Sequence, residues 1–202
     1  MPNAAAETVD RVVASIGNAA LTASDVEQEY RFELFLNGPS PSAPLDSATR
    51  ERVRERLIDQ KLLAGEAAAE NVDRADLPQQ AAEALAELRK KYPGEEAFQT
   101  ALRTIEMDER EVLKRLEDHV FVLRIINQRL RPTAWVERLE IEAYYAKTFA
   151  PEYIRRAAGP APALAEVENQ IREILVQEKI DQLLATWLDE LKASRQVKLH
   201  SF

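Results

Sequence analysis

From Asp46 onward the apolar positions recur at steps of three and four, the spacing of one helix face, and this predicts a chain of consecutive amphipathic helices. Val53, Leu57, Ile58, Leu62 and Leu63 line the first of these, which ends near Asn71. Leu77, Ala81, Leu85, Leu88 and Tyr92 follow, closed by Pro93-Gly94, and Phe98, Leu102 and Ile105 mark a short helix. Asp108 with Glu111 makes a capping pair before a long helix carrying Val112, Leu116, Val120, Leu123, Ile126 and Leu130, stopped by Pro132. A further helix holds Ile141, Tyr144, Tyr145 and Thr148. Pro151, Gly159, Pro160 and Pro162 predict a breaker-rich connection between Phe149 and Leu164. The last helix, about Ala165 to Ser194, carries apolar residues from Val167 to Leu191 and an i,i+4 pair of favourable polarity, Glu168 with Arg172.

The two ends of the chain break this rhythm. Arg11 to Ile16 and Ala19 to Thr22 flank Gly17-Asn18, which predicts a two-stranded ribbon with a type II′ turn. Thr22 stands three residues before Asp25, a capping pattern for a helix running to about Leu36, and Gly38 is placed to end it. Three prolines and two serines in Asn37 to Pro44 predict a mobile loop over 37–45. Gln196 to His200 alternates polar and apolar and reads as a strand. An isolated ribbon is marginal in water, so the terminal strand is expected to join the N-terminal ribbon, bringing the chain ends together.

Composition narrows the function classes. Five glycines in 202 residues lie well below the usual ~7%, against a glycine-rich phosphate-binding fold. The absence of Cys removes disulfide scaffolds, thiolate zinc sites and cysteine nucleophiles. A formal net charge of -8 argues against nucleic acid as a partner. Runs such as Arg50 to Arg56 alternate in sign and read as a solvated helix face. No apolar stretch approaches the ~18 residues of a membrane span. The first twenty residues carry Glu7 and Asp10, without a basic start or an apolar run, and do not read as a secretory signal.

The usual catalytic motifs are absent: there is no Gly-x-Ser-x-Gly, no His-Glu-x-x-His, no phosphate loop and no dinucleotide fingerprint. The two histidines, His119 and His200, suggest neither a metal site nor a base, so no metal and no cofactor is expected. The informative excess is apolar. At 100° per residue, Val26, Tyr30 and Leu34 share one face of the first helix, while Phe32, Phe35 and Leu36 fall nearly opposite. Such a helix is either sandwiched between other elements or offers one side to a partner. Tyr144, Tyr145, Phe149 and Tyr153 form a second aromatic concentration, for which core packing and an adaptable binding surface are both open readings.

Four segments together resemble the SurA group of periplasmic chaperones, relatives of the parvulin-type prolyl isomerases and of PrsA- and PpiD-like foldases. Val9 to Asn18 followed by Leu21 to Val26 resembles the family's opening strand pair and helix start. Val53-Arg54-Glu55-Arg56-Leu57-Ile58-Asp59-Gln60-Lys61-Leu62-Leu63 is similar to its "V-L-x-x-L-I-D-x-x-L-L" helix, and Glu140-Ile141-Glu142-Ala143-Tyr144-Tyr145 to the segment before the isomerase module. Val167 to Leu191 resembles the helix after that module. A parvulin domain of roughly 90–100 residues usually sits between the last two segments. Here the interval is only Ala146 to Ala163, with no histidine in it.

The resemblance therefore implies the chaperone part of the family without the isomerase, and no enzymatic activity. The expected architecture is mainly α, a multi-helix SurA-type domain with a small antiparallel sheet formed by the N-terminal hairpin and the C-terminal strand. It implies one chaperone domain over 1–202: strands and helices over 9–150, a short linker over 151–163, and the long helix and closing strand over 164–202. The implied function is an ATP-independent holdase for unfolded exported or outer-membrane polypeptides, located in the periplasm, with its export signal not in this sequence. The expected client contacts are Phe32, Phe35, Leu36, Tyr144, Tyr145 and Phe149. The alternatives are an isomerase-family member with residual or lost activity, a scaffold for one dedicated partner or a homodimer, and a role like that of the helical arms of trigger factor.

Overall fold

The computed structural model describes residues 10–39, 45–70, 72–157 and 159–202. The protein is mainly helical with a small three-stranded antiparallel sheet, as the pattern predicts. Strands β1 (Val12–Ile16) and β2 (Ala19–Thr22) form the hairpin. Gly17 has φ +55° and Asn18 stays negative, the signature of a II′ turn, which glycine adopts without strain. Strand β3 (Lys198–Leu199) pairs with β1 on the side away from β2, with Ala14 opposite Leu199. The hairpin near the N-terminus and the C-terminal strand therefore share one sheet.

Helix α1 (Ala23–Leu36) opens on the predicted capping box: Thr22 Oγ1 accepts from the Asp25 amide, and Asp25 Oδ2 accepts from the Thr22 amide at 2.9 Å. It ends at Gly38, whose φ of +84° favours glycine and whose amide donates to the Phe35 carbonyl. Residues 40–44 of the proline-rich stretch lie outside the described residues. Helices α2 (Ser47–Ala69), α3 (Leu77–Arg89), α4 (Glu95–Thr104) and α5 (Glu109–Leu130) follow, each burying the apolar positions its spacing indicated, α5 excepted.

In α5 the expected single stripe breaks. Val112 and Leu116 are buried on one face, but Phe121 and Ile125 are buried on the opposite one, and Leu123 is exposed. The covering element changes along the helix. Val112 and Leu116 enter the cluster built by α1, α3 and α4. Farther on, the loop after α2 takes over: the Arg74 guanidinium lies 3.7 Å from the centre of the Phe121 ring, and Arg124 bonds the Asp73 carbonyl and the Asp76 carboxylate at 2.7 Å each. Because α5 meets two different neighbours along its length, no single apolar stripe serves the whole helix.

A 3₁₀ turn at Arg131–Thr133 leads to α6 (Arg138–Tyr144), which continues through a π-turn (Tyr145–Phe149) into α7 (Ala150–Ala157). The expected break at Pro151 is absent, and helix persists to Ala157. In a regular α-helix, Pro151 would remove the bond to the Lys147 carbonyl and crowd it. The wide turn immediately before it, in which the Ala150 amide donates back five residues to Tyr145, relieves that conflict. Helix α8 (Leu164–Ser194) spans the predicted range and carries the Glu168–Arg172 pair at 2.7 Å.

The chain divides into two compact units, Met1–Ile125 with Glu190–Phe202, and Ile126–Asp189. These boundaries fall inside α5 and α8. In the first unit, Phe32 and Phe35 meet Leu85, Leu88, Tyr92, Phe98, Leu102 and Val112. The end of α8 is tied into this unit by Lys192 with Asp59 at 2.8 Å and Arg195 with Glu66 at 2.9 Å. In the second unit, Ile141 of α6 packs with Val136 and with Val167 and Ile171 of α8.

Candidate functional site

The six residues expected to face a client separate into two groups that lie in different units. Phe32 and Phe35 do not form a surface: each is only 2% exposed. The Tyr92 ring stacks on Phe35 at 5.4 Å, Phe98 lies at 5.5 Å, and the Tyr92 hydroxyl donates to the Phe35 carbonyl at 2.6 Å. Arg115 covers Phe32 at 5.5 Å, and Leu36 packs against the same cluster. The first helix is sandwiched, and of its two readings burial on both sides is the one that holds. The reason is topological. α3, α4 and α5 close over the face opposite Val26, a closure that α1 by itself does not announce.

Beside this core lies a buried polar group. Glu29 is buried, and Arg115 meets its carboxylate at 2.7 Å. Burial raises the Glu29 pKa, against the opposing pull of Arg115 and a hydrogen bond from Gln60.

Tyr144, Tyr145 and Phe149 are brought together in the second unit. All three are half-buried against Ile141, Val136, Val167 and Ile171. Burial raises the Tyr144 pKa, helped by Glu178 and Glu152. Tyr145 and Phe149 stack at 6.1 Å, and Tyr153 extends the row by another 6.1 Å, with interplanar angles of 21° and 25°. The π-turn and α7 place these rings one above another at successive four-residue steps. The Tyr145 hydroxyl donates to the Pro162 carbonyl at 2.8 Å, which ties the turn before α8 to the inner end of the row. Its outer member, Tyr153, is exposed, as is Ile154 beside it.

Other exposed apolar side chains concentrate in the same unit. Among the described residues, Trp135, Leu139, Tyr153, Ile154 and Leu183 are large and exposed there, against Val12, Leu123 and Leu199 in the larger first unit. Trp135 is 64% exposed and Leu139 71%. Lys179 holds the Trp135 segment, donating to its carbonyl at 2.8 Å and to Glu140 at 2.9 Å. Sequence reasoning missed Trp135, Leu139 and Ile154. The available signal was their misfit: none falls in register with Ile141, Tyr145 and Phe149.

His119 and His200 are both exposed, and His200 Nε2 lies 3.4 Å from Ser15 Oγ. Among the described residues no cluster of His, Asp and Glu converges to hold a metal ion. Among the described residues no helix is long and apolar enough to cross a membrane. Neither protein-family models nor curated proteins give a match to this chain.

Proposed function

We propose that the protein is an ATP-independent holdase of the SurA type, acting in the periplasm on unfolded exported polypeptides without catalysis. The reading rests on the aromatic row of the second unit, with Tyr153 and Ile154 exposed at its outer end. Exposed large apolar side chains gathered in one small unit mark an interaction surface, while the net charge of -8 keeps the chain dispersed. Client contact is assigned to Tyr145, Phe149, Tyr153 and Ile154, and Phe32, Phe35 and Leu36 are assigned to the core.

The energetics suit transient holding. Fully desolvating one such side chain contributes roughly 1.5–3 kcal/mol. Association costs an estimated ~4–15 kcal/mol in lost freedom and ordering. A few exposed rings therefore give weak, reversible binding, which delays aggregation by occupying the unfolded client.

The test is light scattering of a urea-unfolded outer-membrane β-barrel diluted with and without the protein. Suppressed scattering near equimolar ratio, reduced several-fold by Tyr153→Glu with Ile154→Glu at unchanged helicity, is the expected result. Unchanged scattering, or a stable oligomer in sedimentation that buries Tyr153, overturns the reading.

A further inference from the structure

The outer end of the aromatic row differs in charge from the rest of this acidic chain. From Tyr145 to Ala157 the charged residues are Lys147, Glu152, Arg155 and Arg156, three cations to one anion. Arg155 and Arg156 are 71% and 75% exposed at the side chain, and both share Glu152, at 3.9 and 3.3 Å. One carboxylate at those distances leaves excess positive charge. Arg156 stands three residues after Tyr153 and therefore on the same face of the helix, with Arg155 flanking it. Building on the holdase reading, we propose that this site selects client segments in which aromatic side chains are flanked by acidic residues, the rings joining the row at Tyr153 while the carboxylates meet Arg155 and Arg156.

Two observations favour a polypeptide over an anionic lipid surface. The positive charge is confined to one helix end, so it serves a local contact, whereas the whole chain at -8 is repelled by an extended anionic sheet. The rings of the row step by 6.1 Å along one helix, close to the ~6.6 Å between alternate, same-face side chains of an extended peptide. Exposed pairs of this kind are individually weak and salt-sensitive, so discrimination is modest and fades as ionic strength shortens the ~10 Å screening length of 0.1 M salt.

The experiment uses the full chain and two fluorescent peptides that share an aromatic core, one flanked by Glu and one by Lys, read by anisotropy at low salt. The Glu-flanked peptide is expected to bind about five-fold tighter, with the preference lost by 0.5 M salt. Arg155→Glu with Arg156→Glu reverses the order, and Glu152→Gln widens the preference. Equal affinity for both peptides, with scattering of the unfolded barrel still suppressed, overturns the charge selection and leaves the holdase reading intact. Binding of neither peptide, together with unsuppressed scattering, overturns both. Tighter binding to anionic phospholipid vesicles than to the Glu-flanked peptide also overturns the selection and assigns the patch to a membrane surface.

Discussion

Phe35→Ala separates the core role of the first helix from any surface role. The Phe35 ring is 2% exposed and stacks against Tyr92 and Phe98 at 5.4 and 5.5 Å. Truncating a buried Phe costs about 3–5 kcal/mol, the upper part of that range applying where aromatic partners lose their stacking. Surrounding groups also limit collapse of the hole, since the Tyr92 hydroxyl is held by the Phe35 carbonyl. Far-UV circular dichroism in urea should therefore show the first unit unfolding at markedly lower denaturant. At an m-value of about 1–3 kcal/mol/M, the midpoint falls by more than about 1 M. Both tryptophans, Trp135 and Trp187, lie in the second unit, so their emission reports that unit separately. Ile154→Ala is the control: the side chain is exposed and outside the stacked row, and its loss should change stability by no more than about 0.5 kcal/mol. A Phe35→Ala protein within about 1 kcal/mol of wild type would refute the buried placement and return Phe35 to the client surface.

Two further predictions follow from single groups. The Glu29 pKa is raised in the folded state, chiefly by burial, so folding favours its protonated form, and this group's contribution falls as pH climbs from the unfolded to the folded pKa. Glu29→Gln should therefore be at least as stable as wild type at pH 7.5 and should lose that part of the pH dependence, read as urea midpoints at pH 4 and 7.5; a clearly less stable Gln variant at pH 7.5 would show that the Arg115 pair outweighs burial. Gly38→Ala places a side chain at φ +84°, with the new Cβ 3.4 Å from Lys91 Cβ, and should cost roughly 1–2 kcal/mol in thermal unfolding, where an unchanged Tm would contradict the left-handed cap.

Local rules carried the elements far. Thr22 with Asp25, Asp108 with Glu111 and Gly17 in the hairpin act within three residues of themselves, and the structure shows each doing what its local chemistry requires. The candidate site was only half legible. Tyr144, Tyr145 and Phe149 belong together because they share one helical segment, whereas Phe32 and Phe35, expected at a surface, are buried. Pro151 is a second case: its penalty falls on the Lys147 carbonyl, and the π-turn immediately before it, which the proline spacing does not announce, relieves the clash.

By itself, the sequence determined the helix periods, the caps, the terminal strand and the acidic balance, since each depends on residues within a turn or two of one another. Only the tertiary structure decided which apolar face is covered. Covering depends on elements distant in the chain, as when α3, α4 and α5 close over Phe32 and Phe35, or when the loop after α2 takes Phe121. For the same reason the misfit of Trp135, Leu139 and Ile154 with the register of their neighbours marks them as candidates for exposure without deciding it: an apolar side chain announces a preference for burial, but only the packed chain determines whether a neighbour is there to provide it.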